Sequence, residues 1–226
     1  MRQEVRTEFA EREGTRIAYR IFGTGSRDLV IVPGIISHVE YAHELPGYDE
    51  FIDYVAPHFR VIIFDKRGNG LSQKIGDLPP TLEQRMDDIR FVMDAANSKQ
   101  ATIMGVSEGG SLSALFAAMY PDRTERLILF GAFAHTPGLE RLHRFPAFMH
   151  GFLKNRAMKK AVTRVHKTWG DGSFCRSVLP SRTMINSELR RKCREFERAS
   201  TNASDMGKMM SLLSEMDVTS FLKDVR

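Results

Sequence analysis

Residues 103–110, IMGVSEGG, place a serine between two glycines, after a short apolar run and before a long one. The run before the serine is typical of a buried strand, and GGSLSALFAAMYP is typical of a helix that ends at proline. A serine raised on such a strand-to-helix turn needs small residues two positions away, here Gly105 and Gly109. The pattern predicts a nucleophile at Ser107. Its alternative is an ordinary serine in a turn that needs glycine.

Two main-chain N–H groups are candidates for binding the negative charge that develops when Ser107 attacks a carbonyl. The N–H of Glu108 lies at the start of the predicted helix, where the helix dipole favours negative charge. The N–H of Ile35 follows the apolar run DLVIVPG, and Gly34 allows the backbone to bend close to the serine. We therefore expect an oxyanion hole formed by Ile35 and Glu108. The alternative is that Pro33 and Gly34 only end a strand.

The first 134 residues alternate between strand-like and helix-like segments. Continuous apolar runs indicate buried strands, and apolar residues at helical spacing indicate the helices between them, one of them capped by Thr81. The strand-like segments are TRIAYRIFG (15–23), DLVIVPG (28–34), RVIIFDKRGNG (60–70), which runs into a glycine loop, ATIMGVS (101–107) and RLILFGAF (126–133), with a leading hairpin from VRTEFAERE. The alternation predicts an α/β fold with a mostly parallel sheet and helices on both of its faces.

The second part of the chain has a different character. From about residue 136 to residue 222 it is rich in Met, Leu, Arg and Lys, and it contains no convincing strand. PAFMHGFLKNRAMKKAVTRVHKTW and SELRRKCREFERAS have the apolar spacing of amphipathic helices. We therefore expect two domains: an N-terminal core in residues 1–134, and a helical cap with a lead-in to further core strands in residues 135–226.

The net charge of +5 is unevenly distributed along the chain. Residues 1–134 carry 15 Lys and Arg against 19 Asp and Glu, a net charge of −4, whereas residues 135–226 carry 18 against 9, a net charge of +9. Solvated helix faces explain this excess better than a nucleic-acid or lipid surface, because no aromatic residues alternate with the basic ones in a stacking pattern. We expect a small-molecule substrate or ligand, no nucleic-acid partner and no membrane partner.

Several features indicate a cytoplasmic protein that needs neither a metal nor another cofactor. No apolar run reaches the roughly 18 residues that span a membrane, and the charged N-terminal segment lacks the apolar core of a signal peptide. Cys175 and Cys193 are the only cysteines, and in a cytoplasmic chain we expect both to remain thiols. The spacing of the Cys and His residues matches no metal site.

The segment FDKRGNGLS, residues 64–72, runs on from another predicted strand. Gly68 and Gly70 allow it to turn sharply. We expect Asp65 to tie down this loop, with Arg67 as its charge partner. The loop is then a wall of the site. The alternative is a catalytic role for Asp65.

Four segments carry a resemblance to a known family: VPGIISHVE, FDKRGNGLS, TLEQRMDDIRFVMDAA and GVSEGG, in this order and spacing. They resemble the α/β-hydrolase fold superfamily and, more narrowly, bacterial α/β-hydrolase modules found alone or fused ahead of class III adenylate cyclase domains. The resemblance covers residues 4–134 well and the cap loosely. It implies a serine hydrolase that cleaves an ester-like small molecule through Ser107. The loop has PG where the family commonly has HG, which matters little because this role needs only the backbone.

In that family, the acid and the histidine base of the catalytic triad follow later strands than the serine does. This chain stops at TSFLKDVR, residues 219–226, so we expect both partners and two strands to be missing and the fold to be C-terminally incomplete. His135, at a strand end, is the least implausible base within the chain, and His38 in the oxyanion loop is a candidate pocket residue beside it. We expect impaired hydrolysis. The alternative is a catalytically inactive sensing or regulatory module of a signalling protein.

A missing neighbour also leaves the strand RLILFGAF, residues 126–133, without a partner on one side. An exposed apolar edge strand promotes pairing with other chains. We therefore expect self-association through this edge.

Overall fold

The computed structural model describes residues 5–12, 14–136, 147–179 and 186–226. Six strands form one sheet: β1 (Glu8–Arg12), β2 (Thr15–Phe22), β3 (Asp28–Val32), β4 (Arg60–Phe64), β5 (Ala101–Val106) and β6 (Thr124–Phe130). Their order across the sheet is β1-β2-β4-β3-β5-β6. β3 pairs in parallel with β4 and β5, and β5 with β6, whereas β2 pairs antiparallel with β1 and β4. The expected mostly parallel sheet and its leading hairpin are confirmed.

Helices cover both faces of the sheet, as the alternating sequence predicts. They are α1 (Tyr48–Val55), α2 (Leu82–Ala95) and α3 (Glu108–Met119). Along β3, Val30 and Val32 pack with residues of α2 and α3, whereas Leu29 and Ile31 pack with residues of α1. A parallel strand that is buried on both faces needs apolar residues at every position, which is why its sequence is a continuous apolar run.

α2 begins at the predicted cap. The Thr81 hydroxyl accepts the N–H of Gln84 at 3.2 Å, and the Gln84 side chain accepts the N–H of Thr81 at 3.0 Å. This reciprocal pair satisfies two N–H groups that the first helical turn leaves without partners. Met86, Ile89 and Met93 then lie on the buried side of the helix, as their spacing predicts.

The second part of the chain is helical, as expected, with α4 (Ala147–Thr168), α5 (Ser173–Val178), α6 (Ser187–Ser200) and α7 (Ala203–Glu215). α4 packs along α7, and α5 packs along α6. After α7 the chain returns to the sheet: Met216 and Val218 are buried in its core, and the 3-10 helix Thr219–Asp224 packs on α3. The boundary near residue 134 stays a prediction.

A buried carboxylate organises the turn between α4 and α5. Glu197 on α6 accepts hydrogen bonds from the N–H groups of Gly170, Gly172 and Cys175, each at 2.9 Å. The two glycines have φ angles of +85° and +80°, which turn their N–H groups towards this carboxylate. Glu197 therefore connects α6 to the start of α5.

The two cysteines are buried free thiols, as expected from their number and context. In the described ranges, no cluster of His, Cys, Asp or Glu side chains is arranged to hold a metal ion. No helix in the same ranges is long and apolar enough to cross a membrane.

β6 is the last strand of the described sheet, and it pairs only with β5. Three successive large apolar side chains on it are exposed: Ile128 by 45%, Leu129 by 47% and Phe130 by 67%. A row of unpaired backbone groups beside apolar side chains is a template for pairing with another strand. An apolar strand such as β6 is usually buried, but the described residues leave these three side chains exposed.

We propose that the chain self-associates through β6 and expect sedimentation velocity to show species that grow with concentration. Leu129→Lys is expected to restore a monomer, because a charge at an edge opposes strand pairing. Leu78→Lys is the matched control, since Leu78 is 90% exposed and lies away from the edge. A wild-type chain that stays monomeric at every concentration contradicts the proposal.

Candidate active site

Ser107 lies between β5 and α3 with φ 53° and ψ −122°, a combination that few residues other than glycine adopt. Such a conformation costs about 1–3 kcal/mol, and it persists only where the surrounding structure holds it. On one side the Ser107 N–H donates to the Phe130 carbonyl at 2.9 Å, and on the other the Gly110 N–H donates to the Ser107 carbonyl at 2.9 Å. The backbone therefore bends sharply at Ser107, where the sequence predicts a strand-to-helix turn.

Crowding explains the glycines around the turn. A Cβ atom at Gly105 would lie 2.5 Å from the Cα atom of Gly110, and one at Gly110 would lie 2.3 Å from the Cβ atom of Ala132. A Cβ atom at Gly109 would lie 2.3 Å from the carbonyl oxygen of Pro33. Real Cβ atoms do not approach other atoms this closely, so the turn and the loop after β3 pack together only because these positions lack side chains.

The loop after β3 touches the serine. A Cβ atom at Gly34 would lie 3.5 Å from the Cβ atom of Ser107, an ordinary contact that would partly cover the serine side chain. Ile35 lies in the loop after β3, and Glu108 is the first residue of α3. Within the described part of the chain, the N–H group of neither residue donates a hydrogen bond to the protein. Two unused donors beside one hydroxyl are what an oxyanion hole requires.

A pocket of about 640 Å³ opens beside Ser107. Gly34 and Val106, which both adjoin the serine, line it, as does Phe130 at the end of β6. Its other walls come from three parts of the chain: Tyr48 and Phe51 of α1, Ala42 and Leu45 of the preceding loop, and Leu179 and Phe196 of the cap. Its lining is mainly apolar, so it suits a small apolar molecule.

His38 lines this pocket. Its Nδ1 atom accepts the N–H groups of Glu40 at 3.2 Å and Tyr41 at 3.1 Å. A neutral imidazole that accepts at Nδ1 carries its proton on Nε2, so His38 can donate a hydrogen bond from Nε2. The main-chain bonds hold the ring in the loop after β3.

Asp65 ties the loop after β3 to the loop after β4. The carboxylate is fully buried, and it accepts the Ser37 hydroxyl at 2.8 Å, the Val39 N–H at 3.2 Å and the Leu71 N–H at 3.1 Å. Burial raises the pKa of Asp65, and the hydrogen bonds from Leu71, Ser37 and Val39 oppose this effect without cancelling it. The expected tie within the loop after β4 is present, and it extends to Ser37 and Val39 in the loop after β3.

The expected charge pair between Asp65 and Arg67 is wrong. The Arg67 Nε atom instead contacts the two carboxylate oxygens of Asp88 on α2 at 2.9 and 3.1 Å. Asp65 already has three donors from its own surroundings, so it does not need a cation. Arg67 points to the other side of the loop because Asp88 is buried there and requires a partner.

The side chain of Glu108 forms ion pairs with Lys66 and Arg85, so it does not serve as the acid or base for Ser107. All three side chains are buried. Burial lowers the pKa of Lys66 well below the usual lysine value, and burial lowers the pKa of Arg85 to about 10. Sequence analysis missed Lys66 and Arg85, because no local pattern distinguishes them from ordinary surface residues.

His135 lies in a bridge between two chain segments. It pairs with Asp217 in an isolated antiparallel bridge, and the Val218 N–H donates to the Ala134 carbonyl at 2.8 Å beside it. Hydrogen bonds from Thr219, with a smaller contribution from the nearby His135 ring, lower the pKa of Asp217. Gly34 and His38 line the pocket beside Ser107, whereas Ser107 itself and His135 are not among its lining residues. The hydrogen bonds of His38 and His43 go to the 40–41 segment and not to Ser107.

Comparisons with known proteins identify the family of the chain. A family model described as alpha/beta hydrolase fold matches residues 29–193. A proline iminopeptidase of Pestalotiopsis fici is 32% identical over 163 residues, which are 66% of this chain and 55% of that protein. The human serine hydrolase BPHL is 25% identical over 189 residues, 74% of this chain and 63% of that protein. The chain thus spans less than two thirds of the length of these relatives.

Solved structures show the same fold. The enol-lactonase from Burkholderia xenovorans superposes with a TM-score of 0.64 and 20% identity, covering 97% of this chain and 78% of that one. A hydrolase from Pseudomonas aeruginosa superposes with a TM-score of 0.66 and 21% identity, covering 99% and 77%. From the sheet order, the bend at Ser107 and the family match over most of its length, this chain belongs to the alpha/beta hydrolase fold family.

Proposed function

We propose that this chain is the nucleophile-bearing part of a serine hydrolase that cleaves an ester-like bond in a small apolar molecule. One observation carries the proposal: the strained turn that presents Ser107 beside two unused N–H groups and an apolar pocket. A protein holds such strain mainly where the site needs it. A plain strand-to-helix turn needs glycines, but it does not need a serine with a positive φ.

The proposed reaction has two steps. The Ser107 oxygen attacks the carbonyl carbon of the substrate and loses its proton to solvent, the ester C–O bond breaks, the leaving alkoxide takes a proton from solvent, and an acyl-enzyme forms. Water then attacks the acyl group and releases the acid. In each step the N–H groups of Ile35 and Glu108 donate hydrogen bonds to the negatively charged oxygen of the tetrahedral intermediate. No metal or organic cofactor is part of this proposal.

We propose that the activity of this chain alone is low. His38, the histidine that lines the pocket, is hydrogen-bonded to the backbone of Glu40 and Tyr41, so a base to take the serine proton is not evident. Sites without a triad member retain only about 10³–10⁴-fold catalysis over water, which comes from the oxyanion hole and from substrate binding. We therefore expect this chain to accelerate ester hydrolysis by about 10³–10⁴-fold over water.

The names of the relatives support small-molecule hydrolysis without choosing one bond. They include a proline iminopeptidase, a putative carbamate hydrolase and a 2-hydroxymuconate semialdehyde hydrolase. The apolar pocket supports an uncharged substrate. The location that we propose is cytoplasmic. The proposal includes neither a nucleic-acid nor a membrane partner.

The second candidate is an inactive module that binds a ligand and transmits a signal. The absence of an evident base for Ser107 among the described residues favours it. The cap contacts the core beside the pocket, where the Tyr41 hydroxyl bonds to Glu195 and the Lys192 amine lies 3.2 Å from Glu44. A ligand in the pocket would therefore contact both the N-terminal core and the C-terminal helices. This candidate predicts binding without turnover.

Incubation with an alkyl fluorophosphonate, followed by intact-mass measurement, tests the nucleophile. We expect one adduct per chain, located on Ser107, and slow hydrolysis of p-nitrophenyl acetate and butyrate. Ser107→Ala is expected to reduce both to the level of the buffer. Ser26→Ala removes an exposed serine away from the site and is expected to behave like the wild type. Equal labelling of wild type and Ser107→Ala overturns the enzyme proposal, and ligand binding without labelling favours the sensing module.

A further inference from the structure

A buried group of charged side chains lies directly behind the nucleophile. Glu108, the residue after Ser107, is 2% exposed, Lys66 is 5% exposed and Arg85 is 8% exposed. One carboxylate oxygen of Glu108 contacts the Lys66 amine, and the other contacts the Arg85 guanidinium. The three residues come from α3, from the loop after β4 and from α2. The carboxylate thus joins the first residue of α3 to two other elements.

A contribution to stability does not by itself explain why these three charged side chains are buried together. Burying an ion pair loses its hydration, and an apolar replacement of similar volume is often at least as stable. The small space beside the group is lined by four apolar residues and by three further polar ones: Ile75, Pro80, Met209 and Leu212, and Arg67, Asn69 and Asp88. The Lys66 amine adds what an apolar contact lacks, a hydrogen bond of fixed direction to one carboxylate oxygen of Glu108, and Arg85 adds a charge contact at the other oxygen.

The turn at Ser107 needs such a fixed direction. Its strain must be held by the surroundings, and the glycines only provide space for it. On the side of β6, the hydrogen bond from the Ser107 N–H to Phe130 holds it. On the opposite side, Glu108 is the residue of the turn whose side chain is bonded to other elements. The same residue supplies one of the two unused N–H groups.

We propose that Lys66 and Arg85 are positioning residues that act through the Glu108 carboxylate and aim the Glu108 N–H at the oxyanion. Neither cation touches the substrate. Both contact the Glu108 carboxylate and thereby fix residue 108, so that its N–H faces the hydroxyl of Ser107 and the turn keeps its strained conformation. This inference rests on the proposed function, because it assigns these residues to the oxyanion hole of the same site.

The test measures the rate constant of fluorophosphonate labelling at saturating probe and, separately, the probe concentration that gives half of that rate. Removing one oxyanion donor slows catalysis by about 10²–10³-fold, so displacing it in Lys66→Met is expected to slow labelling by about tenfold or more. The half-saturating concentration is expected to change by less than about twofold, because the pocket is unchanged. Lys66→Arg keeps the charge and the donors and is expected to recover most of the rate.

Arg67→Met is the matched control. It removes a neighbouring cation that pairs with Asp88 and not with Glu108. We expect it to lower the urea midpoint as Lys66→Met does and to leave the labelling rate of the folded protein near the wild-type value. If Lys66→Met does not fold, Glu108→Gln, which keeps the volume but loses the charge, takes its place with the same expectation.

Each outcome has one meaning. Slow labelling in Lys66→Met with recovery in Lys66→Arg supports the inference. Labelling at the wild-type rate in a folded Lys66→Met overturns it, and so does equal slowing in Arg67→Met, which would show a general loss of stability. A wild-type chain that does not label at all contradicts the proposed function instead, so the two failures are distinguishable.

Discussion

Replacing Gly109 by alanine is expected to lower the free energy of unfolding by about 3 kcal/mol or more. Gly109 is the second residue of α3, and in a helix alanine is about 1 kcal/mol more favourable than glycine. Helix propensity alone therefore predicts a more stable protein. The new Cβ atom would lie 2.3 Å from the carbonyl oxygens of both Val32 and Pro33, which belong to the backbone and cannot rotate away. Crowding of this kind outweighs the gain in propensity.

Urea denaturation followed by far-UV circular dichroism measures this change, in the Leu129→Lys background to limit association. Gly76→Ala is the control, because a Cβ atom at Gly76 meets nothing within 4 Å and its φ is ordinary. We expect that variant to stay within about 0.5 kcal/mol of its parent. A Gly109→Ala protein as stable as its parent would show that α3 does not pack against the end of β3 as described.

The second large effect is expected at Asp65. Asp65→Ala removes the acceptor of the Ser37 hydroxyl and of the N–H groups of Val39 and Leu71. A buried donor without an acceptor costs about 1–3 kcal/mol, so three of them are expected to lower the free energy of unfolding by about 3–5 kcal/mol. Because the same bonds hold the oxyanion loop, we also expect slower labelling of Ser107 in whatever fraction folds.

Asp65→Asn is the matched variant. Its amide oxygen can accept both N–H groups, and its amide nitrogen can donate to the Ser37 hydroxyl, which rotates to accept. We therefore expect a loss of about 1 kcal/mol or less at neutral pH. An asparagine variant as unstable as the alanine variant would show that the negative charge, and not the hydrogen bonding, holds the loops together.

The same pair of proteins tests the ionisation of Asp65. Burial raises its pKa in the folded state above the value of about 3.9 in the unfolded chain. The folded state then binds a proton at pH values where the unfolded state has released it, so stability falls as the pH rises between the two pKa values. The wild type is expected to lose stability relative to Asp65→Asn from about pH 4 upwards, until the folded carboxyl is ionised. A difference that does not change with pH contradicts a raised pKa.

Local patterns in the sequence determined much of this protein. The bend at Ser107 follows from Gly105 and Gly109 on either side of it, since a turn is decided by its own residues. The apolar runs determined β3 to β6, and the spacing of apolar residues in SELRRKCREFERAS determined α6, which covers Ser187–Ser200. These features depend on residues within about one or two helical turns of each other, so periodicity is sufficient to find them.

Tertiary structure alone decided which side chains meet. Lys66 contacts Glu108, which is 42 positions away in the sequence. Arg67 pairs with Asp88, 21 positions away, and not with the nearer Asp65. Phe196 reaches the pocket from the cap, and His135 meets Asp217 instead of joining the pocket lining. A charged residue looks the same in sequence whether water or a buried partner surrounds it. Its partner is set by how separate elements pack and by the need to neutralise ions that the packing buries.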